Sequence, residues 1–325
     1  MEPIFRRVTV SPEQAGRRLD QAAADLLEKF SRSRLKVWIE SGALTLEGRQ
    51  AAPKTRVRQG EEIVLQVVPE SAVVVAPEAI PLDVIYEDDA LLIVDKPSGL
   101  VVHPGAGNPA GTLLNALLHL DPNLAALPRA GIVHRLDKDT SGLLVVARTL
   151  KAHRALVRNL QRREIRRAYE AVCQGVLTGG GEIDAPVGRH STHRLRMAVV
   201  AGGRPARTRY RVIERFRAHT RVSIELVTGR THQIRVHFAH IRAPLVGDPL
   251  YGGRPRLPKA PRPGLRRVLQ RFPRQALHAR RLEFSHPESG DRLALESPLP
   301  ADLSGLIDAL HRDASSAASP GVAGG

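Results

Sequence analysis

Apolar residues at Leu19, Ala22, Ala23, Leu26, Leu27 and Phe30 recur at the spacing of one helical face, which predicts an amphipathic helix over about residues 17–30. A second helix follows at once. Ser31 or Ser33 supplies its cap, Leu35, Trp38 and Ile39 its apolar stripe, and Ser41-Gly42 its end. Leu44-Thr45-Leu46 then reads as a short strand, Glu47-Gly48 as a turn and residues 62–68 as a longer strand. These elements make a small module within residues 1–75, with its core over 17–68.

An apolar extended stretch closed by prolines comes next, and its last part, 76–81, is expected to be a linker. Beyond it the pattern predicts strands at 82–86, 91–95 and 100–102, and a helix capped by Thr112 that carries Leu113, Leu117 and Leu120. A further helix over 151–163, strands over 168–172 and 221–227, and a helix opening near Thr231 follow. Mostly antiparallel strands with interspersed helices indicate the α+β class for a larger domain over 82–312. The Pro- and Arg-rich stretch 253–273 reads as a loop. The last residues, 313–325, are dominated by Ala, Ser and Gly and are expected to be disordered.

Charge changes this picture more than composition does. Lys and Arg number 49 against 33 acids, a formal charge of +16 in 325 residues, which favours a polyanionic partner. Between Lys151 and Arg211 there are fourteen Lys or Arg and four acids, so the excess is gathered where a binding face would use it. No apolar run is long enough to span a bilayer and no amphipathic terminus suggests an anchor, which excludes a membrane role and leaves RNA or DNA as the partner. The first residues lack the pattern of a signal peptide, and the lone Cys173 has no disulfide mate, so a cytoplasmic location is expected. Aromatic residues make up 3%, too few for extended base-stacking platforms.

The chemistry centres on the run from His134 to Leu143, with Gly131-Ile132-Val133 before it and Leu144-Val145-Val146 after it. This reads as strand, tight polar turn, strand. Such a frame fixes the Asp137 carboxylate beside Arg135 and Lys138 and makes it a candidate nucleophile, although the same residue types serve plain hairpin turns. A second run, Thr228 to His237, follows an alternating strand and opens a helix whose Ile234, Phe238 and Ile241 face inward. Arg235 emerges near that buried face and wants a carboxylate, and Asp137 is the motif carboxylate without another task. Arg230 reads as a phosphate-binding side chain.

In the N-terminal module, Arg32, Arg34 and Lys36 crowd the first turns of a helix, where cations are mildly unfavourable, so they are expected to contact phosphate. The run Gly105-Ala106-Gly107-Asn108-Pro109-Ala110 imitates a dinucleotide loop, but Pro109 removes a needed amide and a turn is expected instead. His232, His237 and His240 lack the Cys or carboxylate partners of a metal set, so no metal is expected and the histidines are assigned to the surface or to phosphate.

Two resemblances sharpen these readings. Arg17-Arg18-Leu19-Asp20, Ser31-Arg32-Ser33-Arg34, Ile39-Glu40-Ser41-Gly42 and Gly60-Glu61-Glu62-Ile63 resemble an S4 RNA-binding module. Lys96 to Gly105, His134 to Leu143, Arg167-Ala168-Tyr169-Glu170-Ala171, Gly229 to His237 and Gly247-Asp248-Pro249-Leu250-Tyr251-Gly252 together resemble the RluA family of pseudouridine synthases. Within that family the likeness is to the type acting on large-subunit ribosomal RNA. It implies the pseudouridine synthase fold, built on a mostly antiparallel mixed sheet. It also implies Asp137 as the catalytic aspartate, Tyr169 as the active-site tyrosine, Arg235 as the partner of the aspartate, and Arg135 as the side chain that fills the gap left by a flipped base. His134, Ile234 and Arg230 are expected to line the substrate site. No cofactor is implied, the protein is expected to be a monomer, and the implied substrate is 23S ribosomal RNA at the helix 69 loop. The alternatives are other ribosomal or transfer RNA sites, a noncatalytic RNA-binding assembly factor, and a base-excising glycosidase.

Overall fold

The computed structural model describes residues 4–28, 30, 32–67, 75–105, 107–193 and 196–317. It divides into two compact units, Met1–Val74 and Val75–Gly325.

In the first unit, β1 (Ile4–Thr9), α1 (Leu19–Leu26), α2 (Arg32–Ser41), β2 (Leu44–Leu46) and β3 (Glu62–Val67) enclose a core that includes Leu19, Leu35, Ile39, Leu44, Ile63 and Leu65. The three strands form one antiparallel sheet in the order β1, β3, β2. The pattern alone missed β1, because its exposed arginines hide the apolar alternation of Ile4 and Val8. Glu47 and Gly48 both take positive φ, which closes the tight turn between the bridged residues Leu46 and Arg49. The Ser31 cap lies outside the described residues.

The second unit begins with β4 (Asp83–Glu87), β5 (Leu91–Lys96), α3 (Leu113–Leu120), β6 (Ser141–Ala147), α4 (Leu150–Arg162) and β7 (Arg166–Gln174). Next come β8 (Gly181–Asp184), β9 (Val187–Arg189), β10 (Met197–Val199), β11 (Arg207–Arg215), β12 (His219–Leu226) and α5 (Gln233–His240). It ends with α6 (Pro263–Arg271), β13 (Leu277–Ser285), β14 (Arg292–Glu296) and α7 (Ala301–Ala317). The main sheet has nine strands, running β4, β5, β6, β13, β7, β12, β11, β8, with β14 on β13. Every pairing is antiparallel except β6 with β13. All seven residues of β6 are buried, as a central strand covered on both faces must be. β9 and β10 form a separate hairpin.

Four expectations are corrected. Residues 76–81 are tied to the second unit: Ala76 O accepts from Asn115 Nδ2, Glu78 N donates to Asn115 O, and Ile80 packs on the core. Residues 100–102 make a single bridge, Val101 to Thr112, and no strand. Within 253–273 lies α6, whose Leu265 and Leu269 are buried against α7, an amphipathic pattern masked by its arginines. Residues 313–317 continue α7, with Asp313 buried; 318–325 lie outside the described residues. At Gly105 and Asn108 the backbones exchange hydrogen bonds, which makes the glycine-rich run a turn.

Candidate active site

The run around Asp137 has a strand on one side only. Before it, residues 128–131 form a tight 3-10 turn and Ile132 makes one bridge to Val146; after it, β6 begins at Ser141. Rigidity comes instead from side chains that grip the loop. Lys96, wholly buried at the end of β5, donates from Nζ to Pro97 O at 2.7 Å and to Leu100 O and Lys138 O at 3.0 Å each. Burial pushes this lysine down to about 7. Arg274 donates to Asp139 O at 3.1 Å, Gln275 to Thr140 Oγ1 at 3.0 Å, and Ser141 Oγ lies 3.0 Å from His278 Nδ1. The nucleophile candidate is therefore carried on a loop whose backbone has little freedom.

Arg235 reaches that loop from α5. Its Nη1 donates to Asp137 Oδ2 at 3.0 Å, as the sequence led us to expect. Asp137 does not hold the guanidinium alone. Nε and Nη2 of Arg235 bind Asp248 Oδ2 and Oδ1 at 2.7 and 2.9 Å, and Asp248 Oδ1 also accepts from the backbone N–H of Leu250 and Tyr251. Burial alone would lower the Arg235 guanidinium, but the hydrogen bonds and charge of Asp248, and then of Asp137, outweigh it and hold the group charged. The Tyr251 ring lies 5.1 Å from the guanidinium carbon. Sequence reasoning used the Asp248 segment only as a mark of resemblance; the chemical signal was an acid followed by Pro249 in a turn, beside an arginine that needed a partner.

His232 also closes on Asp137, with Nε2 at 4.0 Å from Oδ1, while its Nδ1 is 2.9 Å from the Tyr251 hydroxyl. That hydroxyl accepts from Met197 N at 2.9 Å, which links the β9–β10 hairpin to the site. Burial keeps the His232 imidazole below its ordinary value.

Asp137, Arg235, Tyr169, His134, Arg135, Ile234 and Arg230 all line one cavity of about 990 Å³. Tyr169 comes from β7, is 5% exposed, and has its phenol pushed up by burial. His134 Nε2 accepts from Val145 N at 3.2 Å, and burial pushes its imidazole down to about 3, so the ring is neutral with its proton on Nδ1. Arg135 is exposed at the cavity surface. Arg230 is partly buried and donates from Nε to Pro205 O.

The remaining candidates fall elsewhere. Arg32 donates to the buried Asp20 at 2.8 Å, which Arg18 also binds; Lys36 pairs with Glu40 at 3.6 Å, and Arg34 lies over the Trp38 ring at 5.0 Å. Arg32 thus has a structural partner that helix position alone did not reveal. His237, expected at the surface, is wholly buried between Thr208 Oγ1 and Ala185 O, each at 2.9 Å. Among the described residues no group of His, Cys, Asp and Glu is placed to hold a metal, and no helix is long and apolar enough to cross a membrane.

The chain is similar to known proteins. Residues 90–240 match the family model described as RNA pseudouridylate synthase. The protein named ribosomal large subunit pseudouridine synthase D from Xanthomonas campestris is 55% identical over 98% of this chain and 96% of its own length. Proteins of the same name from Pseudomonas aeruginosa and Escherichia coli (strain K12) are 54% and 53% identical, over 95% and 94% of this chain and 97% and 94% of theirs. Among solved structures, human RNA pseudouridylate synthase domain containing 4 superposes with a TM-score of 0.55 at 24% identity, over 70% of this chain and 93% of its own, a likeness of fold. Near-complete coverage at such identity, on a chain that brings its motif residues into one cavity, establishes that this protein belongs to the RNA pseudouridylate synthase family.

Proposed function

We propose that this chain isomerises uridine to pseudouridine in 23S ribosomal RNA, in the loop of helix 69, with Asp137 as the nucleophile. The observation that carries this reading is the Asp137–Arg235 pair, 3.0 Å apart, in a cavity whose other charged side chains are arginines. The reaction breaks the N1–C1′ glycosidic bond, turns the uracil and joins C5 to C1′; C5 gives up a proton and N1 gains one. Nothing is oxidised and no group is added.

Each step has a residue suited to it. The Asp137 carboxylate attacks the sugar or the uracil ring, and Arg235 holds it in place at 3.0 Å. A uridine in a folded loop must first be extruded, and the exposed guanidinium of Arg135 is suited to stack and hydrogen-bond in the space it leaves. Tyr169 offers a ring face, without a second charge, for the uracil to turn against. The substrate assignment draws on the relatives, which are named as large-subunit enzymes. It also draws on the shortage of aromatic residues, which favours reading RNA by shape and backbone charge. On this reading the enzyme works in the cytoplasm, as a monomer and without a small-molecule cofactor, and its N-terminal unit is an S4-like module that adds affinity for RNA.

Asp137→Asn is the direct test. Shape is kept and charge is lost, so RNA binding should stay within about threefold of wild type, a difference below ~1 kcal/mol, while pseudouridine formation disappears. Near wild-type turnover would refute the assignment of Asp137. Offering 23S RNA and transfer RNA at equal concentration, then mapping modified positions, tests the substrate; efficient modification of transfer RNA with an untouched helix 69 loop would overturn it.

A further inference from the structure

The cations of the catalytic cavity fall into two groups. Arg129 and Arg135 act on His103, whose imidazole is pushed down to about 4 by burial and then by their charges. The second group gathers around Arg230. Arg163, Arg167 and Arg230 line the cavity, and the like charges of Arg204 and Arg163 bear on Arg230. Arg167 precedes Tyr169 by two residues on β7, so both side chains leave the same face of the sheet. A Cβ placed on Gly229 would sit 3.0 Å from Arg167 Nη1, so this guanidinium lies against the turn that carries Arg230.

Other arginines nearby are neutralised. Arg207 pairs with Asp184, Arg209 with Glu182 and Arg221 with Glu170. Among the described residues no carboxylate lies within ion-pair distance of Arg163, Arg167, Arg204 or Arg230, and Arg167 Nε is buried without a hydrogen-bond partner. Four cations gathered together repel one another, and a buried N–H without a partner is costly, so this cluster is built to favour an anion.

We propose that Arg163, Arg167, Arg204 and Arg230 form a phosphate site that takes a backbone phosphate of the RNA strand next to the extruded uridine. The inference rests on the function proposed above and adds the anchor for the strand. A guanidinium matches a phosphate oxygen pair in geometry, and one fixed phosphate beside Tyr169 sets the distance at which the flipped nucleotide enters. Arg163 and Arg204 are exposed, so both can be changed without disturbing the core.

The test is a cycle between protein and RNA. Stem-loops carrying a neutral methylphosphonate at the phosphate on the 5′ or the 3′ side of the target uridine are titrated with wild type and with the double variant Arg163→Gln/Arg204→Gln. We expect the double variant to bind all-phosphate RNA about tenfold more weakly, with a salt slope reduced by roughly 0.7 to 0.9 for each phosphate no longer neutralised. At one of the two positions the methylphosphonate should weaken wild type by a similar factor and cost the variant nothing more. A charge-matched control, Arg154→Gln/Arg158→Gln on the exposed face of α4, should remain sensitive to that methylphosphonate. Additive losses, or equal loss of sensitivity in the control, would overturn the site and leave only a general field. Wild-type pseudouridine formation on the unmodified stem-loop, scored in parallel, reports separately on the function itself.

Discussion

Arg235 is the residue on which most of the site's geometry depends. It is 4% exposed and touches two carboxylates, only one of which faces the cavity. Replacing it by Met keeps bulk and removes the cation beside Asp137. The single-turnover rate should then fall by roughly a hundredfold with RNA affinity retained, and an unchanged rate would mean that Arg235 does not position the proposed nucleophile. Asp248 acts through Arg235. Asp248→Asn keeps shape but weakens the grip on Nε and Nη2, so the guanidinium loses its aim at Asp137. We expect a single-turnover rate lower by roughly a hundredfold and stability lower by roughly 3 kcal/mol, with RNA affinity retained. A loss of stability alone, with the rate intact in the folded fraction, would reduce Asp248 to a structural role.

At the scale of elements, the strand that follows the Asp137 loop comes unusually close to its parallel neighbour. Gly142 has φ +114°, and a Cβ there would lie 2.4 Å from Ala279 O, in the one parallel pairing of the sheet. Gly142→Ala should cost roughly 2 kcal/mol or more, read from denaturant midpoints, because backbone stands where the methyl must go. A midpoint unchanged from wild type would show that β6 and β13 can part without penalty. Much of this level was legible in advance. The periodicity located α1, α2, α3, α4 and the strands β2 to β7 and β12, but not β8 to β11, β13 or β14, and Thr112 does cap α3 through the Asn115 backbone. The pairing of Asp137 with Arg235 was legible too, since a buried guanidinium must find an acid. Long-range neutralisation was not: nothing local in Asp248, or in Asp20 for Arg32, tells which of several acids will be folded against a given arginine. Charged amphipathic pieces such as β1 and α6 were missed for a related reason, because arginine stems cover apolar surface while their heads read as loop.

The whole molecule joins a unit with its own small core to a larger one carrying the cavity. Removing residues 1–74 should weaken RNA binding and flatten its salt dependence, by roughly 0.7 to 0.9 in slope for each phosphate that the first unit neutralises. Equal binding and modification at every salt concentration would show that the first unit serves something else. The fold should also be sensitive to acid. His134 and His219 are held neutral by burial, at about 3 and about 4, against an ordinary value of 6.5. Their folded values lie below the unfolded one, so the unfolded chain takes up protons first as pH falls from 6.5 towards 4. Stability should drop across that window by up to ~1.4 kcal/mol per pH unit for each ring, seen as a falling thermal midpoint. A midpoint flat from pH 7 to 4 would mean that neither ring is held neutral.

One feature joins the residue to the whole. The chain carries a charge of +16, yet one guanidinium in the wall of its cavity holds two carboxylates, Asp137 facing the cavity and Asp248 fully buried, a local surplus of one negative charge. On the proposed mechanism the negative charge of Asp137 passes to the uracil when Asp137 bonds to the nucleotide, and Arg235 with Asp248 remains as a neutral pair. Without Asp248 the same step would leave the Arg235 cation with no fixed carboxylate partner. The net charge of the enclosed site is thus the same before and after the bond forms, and release of Asp137 returns the negative charge from the base to the carboxylate for the next uridine.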